Sequence, residues 1–438
     1  MSLGELTDRL RSVVQGAPRI TTALPLPKSD STDGRDAFEA QDLEAVLGGE
    51  WQARSGGRCF VVERRESPHA RHGQVQLGAL SEALERAIGN APLLANGAAA
   101  RPPFVFFDLE TTGLSGGAGT YAFLVGCGWF DEAGGFVTRQ HILIRPADER
   151  PMLQAVADEI GRAGTLVSFN GKSFDAPLLE SRFLYHRLPW DGGRLPHVDV
   201  LHPARRFWRA QTELGEPIPC SLASLERQVL GAARTNDVLG LEAPARYFRF
   251  IRSGDARPLA GVIDHNRLDL LSLAGLTIRL LQIVNDGPAE ARNAQEALAV
   301  GRIYERAGLT NRAADAFAHA IGFDVEGGPL RAPARVDALR GLAHLARRTR
   351  RYHEAAARWS QLLEQPGCPD GWAREAAEAL AIHHEHRVRD LRSARDFALR
   401  SFGAGAPASR TDAVRHRLAR LDRKLEAAAR APRLQLED

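Results

Sequence analysis

An α/β domain built on a mixed sheet flanked by helices, followed by an all-α helical-repeat domain, is the architecture this 438-residue sequence predicts. Three observations predict it. Short apolar runs bounded by Gly and Pro alternate with helix-period segments between Phe104 and Leu281. The first three of those runs follow one another, the last two through a Gly134-Gly135 turn, as antiparallel strands do. From Pro288 onward the periodicity is helical alone.

Each element can be taken in order. Residues 1–100 read as an irregular segment ending in a linker, Asn96–Pro103. They hold a weak helix pattern at Leu6–Val14, a Pro/Ser/Asp/Gly stretch from Pro25 to Gly34, a strand pattern at Arg58–Glu63 and a helix pattern at Leu80–Ile88. The α/β domain is assigned to 101–284. Its first strand begins at Phe104 and has Asp108 and Glu110 at its end; the others are Tyr121–Phe130, Phe136–Ile144, Thr165–Phe169 and Val198–Leu201. Helices are predicted at Glu149–Ala163, Phe174–Arg187, Ser221–Leu230 and Leu259–Leu281. Residues 288–438 form the helical domain, with three helix pairs whose small residues Ala313, Ala355 and Ala394 are followed four positions on by Phe317, Trp359 and Ala398. Their spacings of 42 and 39 residues exceed the tetratricopeptide period of about 34, so these would be repeats with lengthened loops; an ordinary helical bundle is the alternative.

Composition narrows the class. Apolar content of 44% and charged content of 25% are those of a soluble globular protein. No window is read as long and apolar enough to span a bilayer, and the start is no signal peptide. Four cysteines stand without a CxxC pair, which argues against a disulfide framework and fits a reducing cytoplasm. The net charge of +3 is small, but residues 288–438 carry 26 Lys+Arg against 20 Asp+Glu. Nearly all of the positive charge is arginine, the expected bias of a G+C-rich bacterial genome, so its abundance alone carries no function.

Chemistry concentrates in a few acids. Asp108 and Glu110 close the first strand two residues apart, so both carboxylates leave one face. Two anions so placed repel unless a cation lies between them, and hard oxygen ligands suit Mg²⁺ or Mn²⁺. A strand end whose acids simply face water is the alternative. Asp175 follows the tight turn Asn170-Gly171 and opens a helix, where an acid also complements the helix dipole. Asn170 can cap that turn or touch a substrate, and Lys172, one of three lysines, is a candidate phosphate contact. Asp269 lies four residues after His265, on one helix face, either as an ordinary surface pair or as a metal ligand beside a general base. Asp199 could serve as a further ligand or a helix cap, and Asp264 as a substitute ligand. Phosphodiester hydrolysis with two divalent ions about 3.5–4 Å apart calls for roughly this number of acids.

Strand-Asp-x-Glu, turn-Asp and helix-Asp, in that order, resemble the DEDD exonucleases of the ribonuclease-H-like superfamily. Within it the chain is most similar to bacterial ribonuclease-H-like domain proteins expected to be exonucleases, some with tetratricopeptide repeats. The resemblance rests on Asp108-Leu-Glu-Thr-Thr-Gly-Leu114, Asn170–Asp175 and His265–Asp269, and covers about 101–284. It implies a ribonuclease-H-like sheet in which Asp108, Glu110, Asp175 and Asp269 bind two Mg²⁺ or Mn²⁺ ions. It also implies that Thr111, Thr112, Gly113 and Leu114 pack near the terminal nucleotide. Where the superfamily places a histidine five residues before the last aspartate or a tyrosine four before it, this chain has His265 four before. The Ser115–Gly119 run is read as a loop at the lip of the cleft.

The expected activity is therefore two-metal 3′→5′ exonucleolytic hydrolysis of single-stranded DNA or RNA to 5′-mononucleotides, with His265 as general base. An endonuclease of the same fold, and a non-catalytic scaffold acting through its helical repeats, are the rival readings. Arg205-Arg-Phe-Trp-Arg209 suits stacking and phosphate contact, or else places its aromatics in a core. Arg347-Arg-Thr-Arg-Arg351 is a solvated turn or a nucleic-acid contact. A protein partner would bind through the helical repeats, and no membrane is expected.

Overall fold

The computed structural model describes residues 40–95, 100–113, 119–209, 218–235, 237–323, 332–402 and 408–430. The helix pattern at Leu6–Val14, the Pro25–Gly34 stretch, half of the linker, Leu114 and most of the Gly-rich run after it lie outside them. Two compact units emerge. The first comprises described residues up to Ala79, Pro102–Asp199 and Gly231–Ala274; the second comprises Leu80–Arg101, Val200–Leu230 and Gly275 onward. The units thus interleave along the chain, where periodicity had suggested consecutive spans. Periodicity reports local structure and is blind to contacts between distant segments.

In the first unit the strands are β1 (Glu50–Arg54), β2 (Gly57–Glu66), β3 (Phe104–Thr111), β4 (Ala122–Phe130), β5 (Phe136–Ile142), β6 (Thr165–Ser168) and β7 (His197–Asp199). Among the described residues these seven form one sheet in the order β1-β2-β5-β4-β3-β6-β7. Pairing is antiparallel from β1 to β3 and parallel from β3 through β6 to β7. This is the mixed sheet expected, with one extension. The segment read as irregular supplies β1 and β2, and β2 runs antiparallel to β5 from Phe60 opposite Ile142 to Glu66 opposite Phe136. Only its apolar half, Cys59–Val62, is buried; the polar half is recruited by Arg139, which holds Glu63. The strand pattern at Arg58–Glu63 is the centre of β2; its partner β5 is what the local pattern does not contain.

Local chemistry accounts for the connections. At the β4–β5 turn, Asp131 Oδ1 accepts from the amides of Ala133 (3.0 Å) and Gly135 (2.9 Å), and Gly134 takes the left-handed φ of +79° that glycine adopts without strain. The helices are α1 (Ala40–Leu47), α2 (Leu77–Ala87), α3 (Glu149–Gly161), α4 (Asp175–Tyr185), α5 (Leu201–Phe207), α6 (Ala243–Ser253) and α7 (Arg257–Asp286). α3 crosses from β5 to β6, and α4 from β6 to β7, the connections parallel strands require. They are tied together by the buried pair Arg182–Glu149, whose two N–H···O bonds are each 2.6 Å. Phe123 of β4 stacks on Tyr247 of α6 at 4.3 Å in the core.

The 30-residue helix α7 corrects one expectation. By length and composition it could cross a membrane, which the sequence reading did not find in any window. Of its most apolar window, 78% is buried within the protein, so its apolar surface is satisfied by packing on several sides.

The second unit is helical. After α5 come α8 (Ala294–Arg306), α9 (Thr310–Gly322), α10 (Ala332–Arg348), α11 (Tyr352–Leu363), α12 (Asp370–His383), α13 (Leu391–Ser401) and α14 (Ala408–Arg430), each packed on the next. Ala313, Ala355 and Ala394 are buried where helices approach one another. In the Arg/aromatic stretch, Phe207 and Trp208 are core residues, and Trp208 Nε1 donates to Glu296 Oε1 at 2.8 Å. Neither ring is presented for base stacking.

Candidate active site

Phe104–Phe107 are all buried, so β3 is anchored at the centre of the sheet and delivers Asp108 and Glu110 at its end. A register irregularity follows directly, between Glu110 and Thr111. Such a kink re-aims the last side chains of a strand. Thr112 and Tyr121 then pair, amide to carbonyl and hydroxyl from amide, both at 3.0 Å. The hydroxyl of Thr111 donates to the Gly113 carbonyl at 3.1 Å. Both threonines predicted to meet a nucleotide therefore hold the chain end of β3, with Gly113 between them and Tyr121.

Asp175 arrives from a second segment. Asn170 has the left-handed φ of +68°. The Asp199 carboxylate accepts the amides of Asn170 (2.8 Å) and Lys172 (3.2 Å), fixing the turn. A Cβ on Gly171 would fall 2.4 Å from Ser168 Oγ and 2.9 Å from Asp175 Oδ2, so only glycine lets the turn close. Asp199 thus works as the clamp of this turn. Lys172 itself is exposed.

The third segment is α7. His265 Nε2 stands 3.4 Å from Asp269 Oδ2, and Nδ1 is 2.8 Å from Asp237 Oδ1. Both ring nitrogens thus face carboxylates, and an Arg234 guanidinium nitrogen lies 3.3 Å from Nδ1. Arg234 joins the group: one nitrogen donates to Asp269 Oδ1 at 2.6 Å, the other to Asp237 Oδ2 at 3.1 Å. Burial pushes the Asp237 carboxyl up, but the hydrogen bond from His265 and the charges of His265 and Arg234 outweigh it and hold it below its ordinary value. Asp264, considered as a substitute ligand, is exposed on another face and lies 3.6 Å from Arg267.

Asp108 and Glu110 each feel the charges of Asp175 and Asp269. Burial raises the Asp108 carboxyl well above its ordinary value, and the charges of Asp269, Asp175 and Glu110 raise it further, while a hydrogen bond from Asn266 lowers it. Glu110 is pushed up to about 8 by burial and then by Asp269, Asp175 and Asp237. Asp175 rises to about 7, from burial and the charge of Asp199. Carboxylates shifted this way lack sufficient positive charge around them. An all-oxygen donor set of this kind fits Mg²⁺ or Mn²⁺. Among the described residues no three ligand groups already stand in a metal-holding cluster, and Arg234 engages Asp269.

Sequence reading missed the support behind Asp108. Asn266, fully buried beside His265, donates from Nδ2 to Asp108 Oδ2 at 2.9 Å. Its Oδ1 in turn accepts from Gln140 Nε2 at 2.9 Å, and the same Gln140 nitrogen donates to the Ile263 carbonyl at 2.8 Å. Space for Asn266 exists because β4 has glycine opposite Asp108: a Cβ on Gly126 would lie 2.1 Å from Asn266 Oδ1. Glycine inside an apolar strand was the available signal, since it marks close approach of another group.

Two comparisons bear on the site. The RNase_H superfamily profile matches residues 105–281, the span that contains every acid just described. Over 375 residues the chain is 30% identical to "uncharacterized protein YprB" of Bacillus subtilis (strain 168), covering 84% of this chain and 86% of that one.

Proposed function

Because the chain belongs to the same family as that Bacillus subtilis protein and carries an RNase H superfamily domain, we propose that it is a metal-dependent 3′→5′ exonuclease acting on single-stranded nucleic acid. Folds of this superfamily are generally those of hydrolytic nucleases and usually use divalent metals. What supports the reading is that burial, and then the charges of Asp269 and Asp175, raise the carboxyls of Asp108 and Glu110.

In this proposal those four carboxylates hold two Mg²⁺ or Mn²⁺ ions. When bound, such ions lower the pKa of water and stabilise charge on a phosphate. The protein's own residues supply the rest. Asn266, fixed by Gln140, holds one Asp108 oxygen in place. Asp237 fixes the His265 ring through Nδ1, which turns Nε2 toward Asp269, where it would accept the proton of the attacking water and pass it to the leaving 3′ oxygen. Arg234 neutralises Asp269 and Asp237 when no other cation does. The scissile P–O bond breaks toward the 3′ oxygen of the neighbouring nucleotide, releasing a 5′-mononucleotide.

A gel assay with wild type and Asp108→Ala tests this on 5′-labelled DNA and RNA strands and on circles, in Mg²⁺, Mn²⁺ or EDTA. The expected result is a metal-dependent ladder from the 3′ end, lost in the variant by at least about 10³-fold and absent on circles. Cleavage of circles would replace the exonuclease by an endonuclease. No cleavage of any substrate would overturn the enzymatic reading.

A further inference from the structure

The helical unit contains a cavity of about 320 Å³ lined from α10, α11, α12 and the turn that follows α12. Its apolar lining is Ala356, Ala379 and the exposed Ile382, with Ala355 and Trp359 buried behind them. Arg347, His386 and Arg387 also line it, and all three are exposed. Tyr352 stands beside them, with the Arg387 guanidinium 4.1 Å from its ring centroid. No Asp or Glu is among the lining residues.

Charge is unevenly balanced here. Arg348 is matched with Glu305, Arg351 with Glu354 and Arg340 with Glu375. The Glu385 carboxylate is held by Arg420 and Lys424 of α14, and its Oε2 also lies 3.5 Å from Nε2 of the lining residue His386. Among the described residues, Arg347 and Arg387 have no carboxylate partner. What remains is a small apolar slot with two unneutralised guanidinium groups at its edge. A slot of this size is in the range of small-ligand sites, about 300–1,000 Å³.

We infer that this slot is a second nucleic-acid site, taking one unstacked base against Ala356, Ala379 and the exposed Ile382 and the flanking phosphates on Arg347 and Arg387. A base is flat and apolar, its phosphates are anionic, and only a single strand offers both together. The inference rests on the nuclease reading for its choice of nucleic acid over an acidic peptide. It assigns a use to Arg347, which the sequence left as a solvated turn or a phosphate contact.

The test uses full-length protein in EDTA, which blocks any metal-dependent cleavage, and the fluorescence anisotropy of labelled oligothymidylate and oligouridylate across a salt series. Arg347→Glu combined with Arg387→Glu is expected to weaken binding at least tenfold. It should also flatten the salt slope by about 1.4, the value for two lost phosphate contacts on a single strand. Arg347→Lys with Arg387→Lys keeps both charges and should retain the slope. Arg350→Glu, exposed and outside the lining, should change affinity less than twofold. Unchanged affinity and slope in the Glu double variant would overturn the inference. So would an equal loss in Arg350→Glu, or tighter binding of polyglutamate than of either oligonucleotide. The nuclease reading stands or falls separately: a cleaving wild type with an unaffected slot variant sinks only the slot, whereas a slot that binds strands in a protein cleaving nothing sinks only the nuclease.

Discussion

Glu110 in the sheet unit and Glu385 in the helical unit are both buried glutamates, 8% and 4% exposed, and their carboxyls are displaced in opposite directions. Glu385 is held down to about 2, chiefly by its hydrogen bond from Arg420, with Lys424 and the nearby charges adding to it. Glu110 is driven up to about 8 because burial removes its water while Asp269, Asp175 and Asp237 add negative charge. Burial is similar; the company differs. A buried acid ringed by cations closes a structure. A buried acid ringed by acids leaves the structure wanting positive charge, which is the condition of a cation site.

The sharpest way to break this contrast is Glu110→Gln. Metal-dependent cleavage should fall at least about 10³-fold, while the metal-free protein gains stability at alkaline pH. The sign follows from the raised value. An unfolded Glu loses its proton near 4.5 and the folded one near 8, so the folded state binds more protons between those values. Stability of the metal-free sheet unit should therefore decline as pH rises from about 4.5 to 8 and level off above. Gln removes the decline, for a gain of about 4 kcal/mol at pH 8, and Mg²⁺ should restore stability to wild type alone. Urea denaturation in EDTA and in Mg²⁺ reads both effects; identical pH slopes in wild type and variant would remove Glu110 from the cluster.

Gly126→Ala comes next. The new methyl would meet Asn266 Oδ1 at 2.1 Å and Leu270 Cδ1 at 3.0 Å, dislodging the group that orients Asp108. The expected cost is about 2–3 kcal/mol of overpacking, with cleavage down roughly 10²-fold. Combining it with Asn266→Ala should recover most of the stability and none of the activity, because the clash goes while Asp108 stays unsupported. Recovery of activity in the double variant would show that Asn266 has no part in holding Asp108.

Glu385→Gln probes the other side with the smallest effect. Losing charge-assisted bonds to Arg420 and Lys424 should cost the helical unit about 1–3 kcal/mol at pH 7. The depressed value sets the sign: the wild-type contribution is whole above the ordinary 4.5 and is lost as pH falls toward about 2. The variant should lack that acid-sensitive step in a pH series of helical circular dichroism melts. An unchanged melt would mean the cations around Glu385 are solvated rather than binding it.

The sequence by itself determined the strand Phe104–Thr111, the β4–β5 hairpin, the α/β alternation and most of the later helices. Each of these is written in local periodicity and turn chemistry, which act within a few residues. It also singled out the acids, because carboxylates at a strand end, after a turn and on a helix stand out by type and spacing. Tertiary structure alone decided the rest. β1 and β2 join the sheet through pairing with β5, some 75 residues away, and no local pattern encodes a partner at that distance. Asp199 became a turn clamp, and Phe207 and Trp208 became core, because of what packed against them. Asn266, Gln140 and Gly126 acquire their importance only where β4, β5 and α7 come together beneath Asp108. Electrostatic and steric coupling falls off over a few ångströms in space and takes no account of separation along the chain, so an acid's identity is legible in sequence while its surroundings are not.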